Sequence, residues 1–155
     1  MLFLDDSEEI NITVYNHPQV EIIIDNSDPG FQLSGSGLWY TRENPPYQSY
    51  GPNFVFNGTG SGKDKAIFSF SITEPGEYDV FAWWPSNTIC SPNTPYSIPF
   101  SDGQVTIRVN QQQNSDQWNF LASGHFEQGN YQIIISDNAD PQVVVADAVR
   151  IVSKP

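Results

Sequence analysis

Residues 65–72 read Lys65-Ala66-Ile67-Phe68-Ser69-Phe70-Ser71-Ile72, and the period of two in this stretch decides the fold class. Ala66, Phe68, Phe70 and Ile72 share one face, while Lys65, Ser69 and Ser71 share the other, the pattern of a half-buried β-strand with Ile67 as its exception. Stretch 104–110 repeats it, with Val105, Ile107 and Val109 expected inward and Thr106, Arg108 and Asn110 outward. No segment shows a helical period. Short alternating or β-branched runs continue along the chain, separated by clusters of Gly, Pro, Asn and Asp. Strands are expected at 10–15, 19–25, 39–41, 53–56, 65–72, 77–84, 104–110, 118–126, 131–137 and 143–152. The fold class is therefore all-β: a single, mostly antiparallel β-sandwich of jelly-roll type. Two long aromatic-rich loops, 27–52 and 85–102, are the expected places for a binding surface.

The chain has 155 residues, the size of one domain, and its 10 Phe, 7 Tyr and 4 Trp are enough to fill a core. That core is expected to hold Phe68, Phe70, Tyr78, Val80, Trp84, Val105, Ile107, Val109, Ile133, Ile135 and Val149. Six Lys and Arg against 18 Asp and Glu leave a net charge of −12, the wrong sign for a phosphate backbone or an anionic lipid surface. No apolar run approaches the roughly 20 residues that span a bilayer, so membrane insertion is not expected. Seven acids precede Gly30 with no base among them, and residues 1–20 read as an extension, partly packed or frayed, ahead of a domain at 21–153. The opening stretch MLFLDDSEEI lacks the basic and apolar regions of a signal peptide. A single cysteine, Cys90, excludes an internal disulfide and a cysteine-based metal site.

Two runs conflict with a simple inside–outside pattern. In 77–84, Tyr78, Val80, Ala82 and Trp84 share one face, which turns Phe81 and Trp83 outward with Glu77 and Asp79. Phe81 and Trp83 then either lie beneath a loop or the N-terminal segment, or form a ligand platform. In 143–152, Val143, Val145, Asp147, Val149 and Ile151 share the inward face, which buries Asp147. A buried carboxylate must accept backbone N–H bonds, pair with a cation or bind a metal. The expectation is a hydrogen-bond network that lowers its pKa and needs no cofactor. Structural calcium between Asp25, Asp28 and Asp147 is the alternative if the first and last strands are neighbours, although no D-x-D-x-D-G loop is present.

The strings EIIIDN (21–26), GLWY (37–40), YGPNF (50–54), GEYDVFAWWP (76–85), PYSI (95–98), DGQVTIRVNQQ (102–112), WNFLASGHF (118–126) and ADAVRI (146–151) together resemble the golvesin C-terminal-like domain, which also ends some xanthan lyases. The resemblance implies a β-sandwich appended to a large secreted or cell-surface protein, of carbohydrate-binding or adhesin type, hence an extracellular location with any signal peptide outside this chain. It departs at SNTICSPNT (86–94), where the family is expected to carry a basic residue and this chain has none.

No catalytic residue is expected. His17 and His125 have no nucleophile signature beside them, and no nucleophile elbow, zinc-binding helix or phosphate loop is present. Sugars present C–H faces to aromatic rings and hydroxyls to planar polar groups. The first long loop supplies both, so the expected ligand-binding residues are Tyr40 and Tyr47, with the outward Trp83 and the amides of Asn44 and Gln48. An anionic polysaccharide would be repelled by a chain this acidic, so the expected partner is a neutral polysaccharide. The alternative is a structural or interaction module that packs on a neighbouring domain or protein and takes no glycan.

Overall fold

Alternation resolves into twelve strands, with no helix among the described residues, which are 17–155 in the computed structural model. The strand expected at 10–15 and most of the extension at 1–20 lie outside the described residues. In chain order the strands are β1 (Glu21–Asp25), β2 (Phe31–Ser34), β3 (Tyr40–Glu43), β4 (Asn53–Gly58), β5 (Lys65–Ile72), β6 (Gly76–Trp83), β7 (Thr94–Phe100), β8 (Gly103–Val109), β9 (Asn119–Phe126), β10 (Gly129–Ser136), β11 (Val143–Ala146) and β12 (Ala148–Ser153). β2 and β7 fall inside the stretches expected as loops. β2 is short and follows a tight turn, with Phe31 N–H donating to the Asp28 carbonyl over 3.0 Å. β7 carries Pro95 and Pro99, which remove two N–H donors and hide it from any reading by strand propensity.

A four-stranded sheet, β1-β12-β6-β9, faces a five-stranded sheet, β2-β5-β10-β7-β8, and a third, β11-β4-β3, extends the sandwich at one end. All these strand pairs are antiparallel. The two large sheets pack through the alternation that the sequence displays. Phe68 and Ala66 of β5, Ile133 and Ile135 of β10, Tyr96 and Ile98 of β7, Tyr78 and Val80 of β6, and Val149 and Ile151 of β12 are all buried. Phe126 is the hub of an aromatic cluster, with ring centroids 4.7 Å from Tyr131, 5.1 Å from Phe100, 5.6 Å from Phe70 and 5.8 Å from Tyr78. Glycine at 124 is required there, because a Cβ would stand 2.4 Å from the Phe100 ring.

Two expectations need correction. Val105, Ile107 and Val109 do face inward, opposite Ile98, Tyr96 and Thr94, but among the described residues β8 is the edge of its sheet, with no strand beyond it. Val105 is 38% exposed, and Ile107 and Val109 are only half-buried. The run 143–152 is also not one strand. It breaks at Asp147, so that β11 pairs with β4 in the small sheet while β12 lies between β1 and β6 in the four-stranded one. The physical reason is that the chain changes sheets at this point.

Trp84 follows β6 directly, is 2% exposed and donates its Nε1–H to the Gln113 carbonyl over 2.8 Å. Trp84→Ala is expected to cost roughly 3–5 kcal/mol, the range for truncating a core aromatic. A urea denaturation midpoint that stays at the wild-type value would show that Trp84 is not a core anchor.

Candidate functional site

The small sheet forms the floor of a groove of about 190 Å³. Phe54 and Phe56 of β4 and Val143 and Val145 of β11 supply an apolar base. β3 adds Arg42, whose guanidinium lies over the Phe56 ring 5.5 Å from its centroid. Tyr40 stacks on Phe56 at 5.6 Å and 29°, with half of its surface open to solvent. One wall is Tyr47, edge-on to Phe54 at 5.4 Å. The other is the segment 85–90, including Ser86, Asn87 and Ile89. Both long loops flagged in the sequence therefore meet at this groove.

Buried polar side chains hold those walls. Gln111 is fully buried, accepting from Val145 N–H (2.9 Å) and the Thr94 hydroxyl (2.8 Å) and donating to the Val145 carbonyl (2.9 Å) and the Tyr96 hydroxyl (3.1 Å). Its neighbour Gln112 donates to the Cys90 carbonyl over 3.0 Å, and Ser91 N–H bonds to the Val143 carbonyl over 2.7 Å, which pins the second loop against β11. Asp64 does the same for the approach to β3. Its carboxylate accepts N–H bonds from Gly37 (2.7 Å) and Ser36 (2.8 Å) and the Asn57 amide (3.1 Å). The bond from Gly37 is the main cause holding its carboxyl below the usual range. Neither Gln111 nor Asp64 carries a periodic signal, so the sequence reading missed both.

The five residues expected to bind ligand are not gathered on one surface. Tyr47 lines the groove and Tyr40 adjoins it through Phe56. Trp83 lies in a separate cluster, 5.7 Å from Tyr50 and 5.5 Å from Trp118, and donates its Nε1–H to the Gln48 carbonyl over 2.9 Å. This matches the loop-covered alternative for Trp83. Phe81 packs against Phe120, with Arg150 over its ring at 5.4 Å. The Asn44 amide donates to the carbonyls of Ser49 (3.3 Å) and Gly51 (3.4 Å), and the Gln48 amide oxygen accepts from Ser115 (2.8 Å), so both amides shape the loop itself. His125 stands between Glu77 (3.3 Å) and Glu127 (3.1 Å) on the outer face of the four-stranded sheet, away from the groove lining.

Behind this loop Asp147 is fully buried, as expected, but its hydrogen bonding is not. Among the described residues it accepts one bond, from Tyr50 N–H (3.0 Å), and its Oδ1 and the Oδ1 of buried Asp25 have no partner. The carboxylate of Asp25 stands near enough for its charge to act on Asp147, and the adjacent residues Gly51 and Tyr50 approach one carboxylate each. Burial, opposed by the Tyr50 bond and aided by the Asp25 charge, pushes the Asp147 pKa up to about 8. The expected lowering is thus reversed, because one donor does not offset desolvation. Asp28 is exposed and turns its carboxylate to Asp25 N–H over 2.8 Å. Gly51 passes so close that a Cβ there would meet Asp25 Oδ2 at 2.6 Å. Among the described residues no group of three His, Cys, Asp or Glu side chains gathers around a metal position.

A sandwich with this sheet order and a groove between end loops has the architecture of the jelly-roll carbohydrate-binding modules. The chain belongs to the golvesin C-terminal domain family, whose model matches residues 22–153. A xanthan lyase from Paenibacillus is 32% identical with a TM-score of 0.77; the match covers 87% of this chain and 13% of the lyase. A family 35 carbohydrate-binding module from Cellvibrio japonicus superposes with a TM-score of 0.60 at 15% identity, covering 88% of this chain and 95% of that one. Another, from Clostridium thermocellum, gives 0.59 at 18% identity, covering 87% and 99%. No curated protein sequence matches. At identities this low the two modules establish the fold.

A carboxyl with a folded pKa near 8 and an unfolded one near the usual ~3.9 keeps its proton in the folded chain across the interval. Its contribution to stability is complete below the unfolded value and is lost as pH rises through the folded one. With chelator present, wild type is therefore expected to lose stability between about pH 4 and 8 more steeply than Asp147→Asn. Parallel denaturation profiles for the two proteins would contradict the raised pKa.

Proposed function

We propose that this domain is a non-catalytic accessory module of a larger extracellular protein and binds neutral glycans in the groove between its two long loops. The observation that carries this reading is the groove lining itself, an apolar floor of Phe54, Phe56 and Val145 with Tyr47 at one wall and Arg42, Ser86 and Asn87 at the rim. A pyranose has an apolar C–H face and a polar edge, and this lining offers a partner to each. Tyr40 extends the stacking surface, and Asn44, Gln48 and Trp83 contribute by holding the loop that carries Tyr47. The net charge of −12 favours an uncharged ligand. The company of the Paenibacillus lyase and of modules attached to glycan-active enzymes is consistent with targeting by proximity rather than with chemistry.

One observation favours a second reading. On the outer face of the four-stranded sheet Phe120 is 58% exposed beside half-buried Phe81, an aromatic pair suited to packing on a neighbouring domain or protein. The two readings separate by measurement. Titration calorimetry of the best hit from a glycan array is expected to give a Kd on the order of micromolar to millimolar for an open, wet site, with Tyr47→Ala and Tyr40→Ala each weakening it about tenfold. Unaltered binding in both variants would move the site elsewhere. Binding restricted to uronate-bearing glycans and lost in Arg42→Ala would replace the neutral ligand by an acidic one. No hit, with a concentration-dependent dimer, would favour the packing reading.

The same reading includes structural calcium between Asp25 and Asp147. The buried, unpartnered Oδ1 atoms of both residues fit an oxygen-coordinated cation, with remaining ligands from backbone or water. Bound there, the ion would neutralise both carboxylates and fasten the 44–51 loop to the end of β1. After chelator treatment, added calcium chloride is expected to raise the melting temperature of wild type and leave that of Asp147→Asn in place. An unchanged wild-type melting temperature would exclude the ion.

A further inference from the structure

The five-stranded sheet turns a face to solvent that none of the preceding functions uses. Its strands place Lys65, Ile67, Ser69 and Ser71 of β5 outward, opposite Ser136, Ile134, Gln132 and Asn130 of β10. Ser97 and Pro99 of β7 continue the face to Thr106 and Gln104 of β8. No Asp or Glu stands among the outward residues of these strands, in a chain with 18 acids and six Lys and Arg. The outer face of the four-stranded sheet, by contrast, carries Glu21, Glu77 and Asp79. Carboxylates only accept hydrogen bonds and hold their water tightly, whereas amides and hydroxyls both donate and accept and desolvate at lower cost.

This face is not flat. β10 and β7 pair only at Ile134 with Ser97 and at Ile135 with Tyr96. Continuing the ladder would set Gln132 opposite Pro99, which has no N–H to give, so the ladder stops there. A shallow trough of about 700 Å³ runs across this part of the face from β5 to β8, lined by Ser69, Ser71, Pro99, Gln104, Asn130 and Gln132. Cross-strand bonds fix part of the lining: Ser71 donates to the Asn130 amide oxygen (2.6 Å), and the Gln132 amide donates to Ser69 (3.3 Å). The Asn130 Nδ2, the Gln132 Oε1 and the whole Gln104 amide have no partner among the described residues. The Asn130 and Gln132 side chains thereby keep a free donor and a free acceptor while their neighbours hold them, which lowers the ordering cost of a bond to a ligand, and Gln104 is exposed and free to turn toward one.

We propose that this trough is a second glycan site, taking a run of an uncharged polysaccharide whose hydroxyls bond to the amides of Gln104, Asn130 and Gln132. It shares no residue with the groove at Tyr47 and stands independently of it. Two weak sites on one module would raise the apparent affinity for a long chain or bridge two chains, without either site being strong. Lys65 and Arg108 stand on the same face but outside the trough, whose lining carries no charged side chain of either sign, which suits an uncharged ligand.

The test is a titration of the isotope-labelled domain with unsubstituted xylohexaose, cellohexaose and mannohexaose, followed by the shifts of backbone and side-chain amides. At least one sugar is expected to move the Gln104, Asn130 and Gln132 amides saturably. The double variant Asn130→Ala, Gln132→Ala alters exposed side chains and should melt with wild type. It is expected to weaken the trough response about tenfold, the scale of one or two hydrogen bonds, while leaving responses at Tyr47 and Asn87 in place. Tyr47→Ala should do the converse. Shifts confined to the Tyr47 groove, a trough response that survives the double variant, or no saturable shift at the three amides with any of the sugars would each overturn the proposal.

Discussion

The carboxylate of Asp147 is buried at the point where the chain leaves one sheet and enters another, with Tyr50 N–H as its single donor. An ionised group left half-satisfied in such a place costs several kcal/mol, so it must hold a proton or be met by a cation. The backbone on both sides makes the position unavoidable. β11 is committed to β4, β12 to β1 and β6, and the Asp147 carbonyl itself accepts from Asn26 N–H over 2.7 Å. The bond to Tyr50 draws the 44–51 loop across the sheet, where Gly51 clears Asp25, Trp83 caps Gln48 and Tyr47 comes to stand against Phe54. One wall of the candidate groove thus follows from how a single buried carboxyl is satisfied.

The opposite wall rests on a neutral group treated in the contrary way. Gln111 is as deeply buried as Asp147, yet both its amide oxygen and its nitrogen are bonded, to β7 on one side and β11 on the other. A fully satisfied amide in a low-dielectric interior fixes geometry at little net cost. The backbone N–H of Gln111 donates to the Ser91 carbonyl over 2.9 Å, which clamps segment 85–90 at its far end while Ser86, Asn87 and Ile89 face the groove. A site whose walls are set before any ligand arrives loses less conformational freedom on binding.

Charge is also distributed less simply than its sum. Asp25, Asp64, Asp137 and Asp147 are buried and serve as caps and clasps for loops. Asp137, for example, accepts from Gly62 N–H over 2.6 Å and shapes the turn before β5. Other acids are answered by ion pairs on the outer face of the four-stranded sheet, where Arg150 meets Glu21 and Lys154 meets Asp79 at 3.3 Å. The groove lining contains Arg42 and no carboxylate, and the five-stranded face contains no carboxylate at all.

Read along the chain, alternation and composition are enough to establish the all-β class, the inward and outward faces of β5 and β6, the core residues of β10, the burial of Asp147 and the two loops that meet at the groove. Each of these follows from side-chain alternation or from local composition, which act over a few residues and leave their mark in order. Long-range packing, by contrast, makes β8 an edge and so exposes Val105, divides the run after Gln142 between sheets, and covers Trp83 while Tyr47 lines the groove. It also decided the sign of the Asp147 shift, since a pKa depends on how many donors reach the carboxylate. Those outcomes depend on which distant strands and loops become neighbours. Partners such as Tyr50, 97 positions away from Asp147, are specified by packing and by no spacing along the chain.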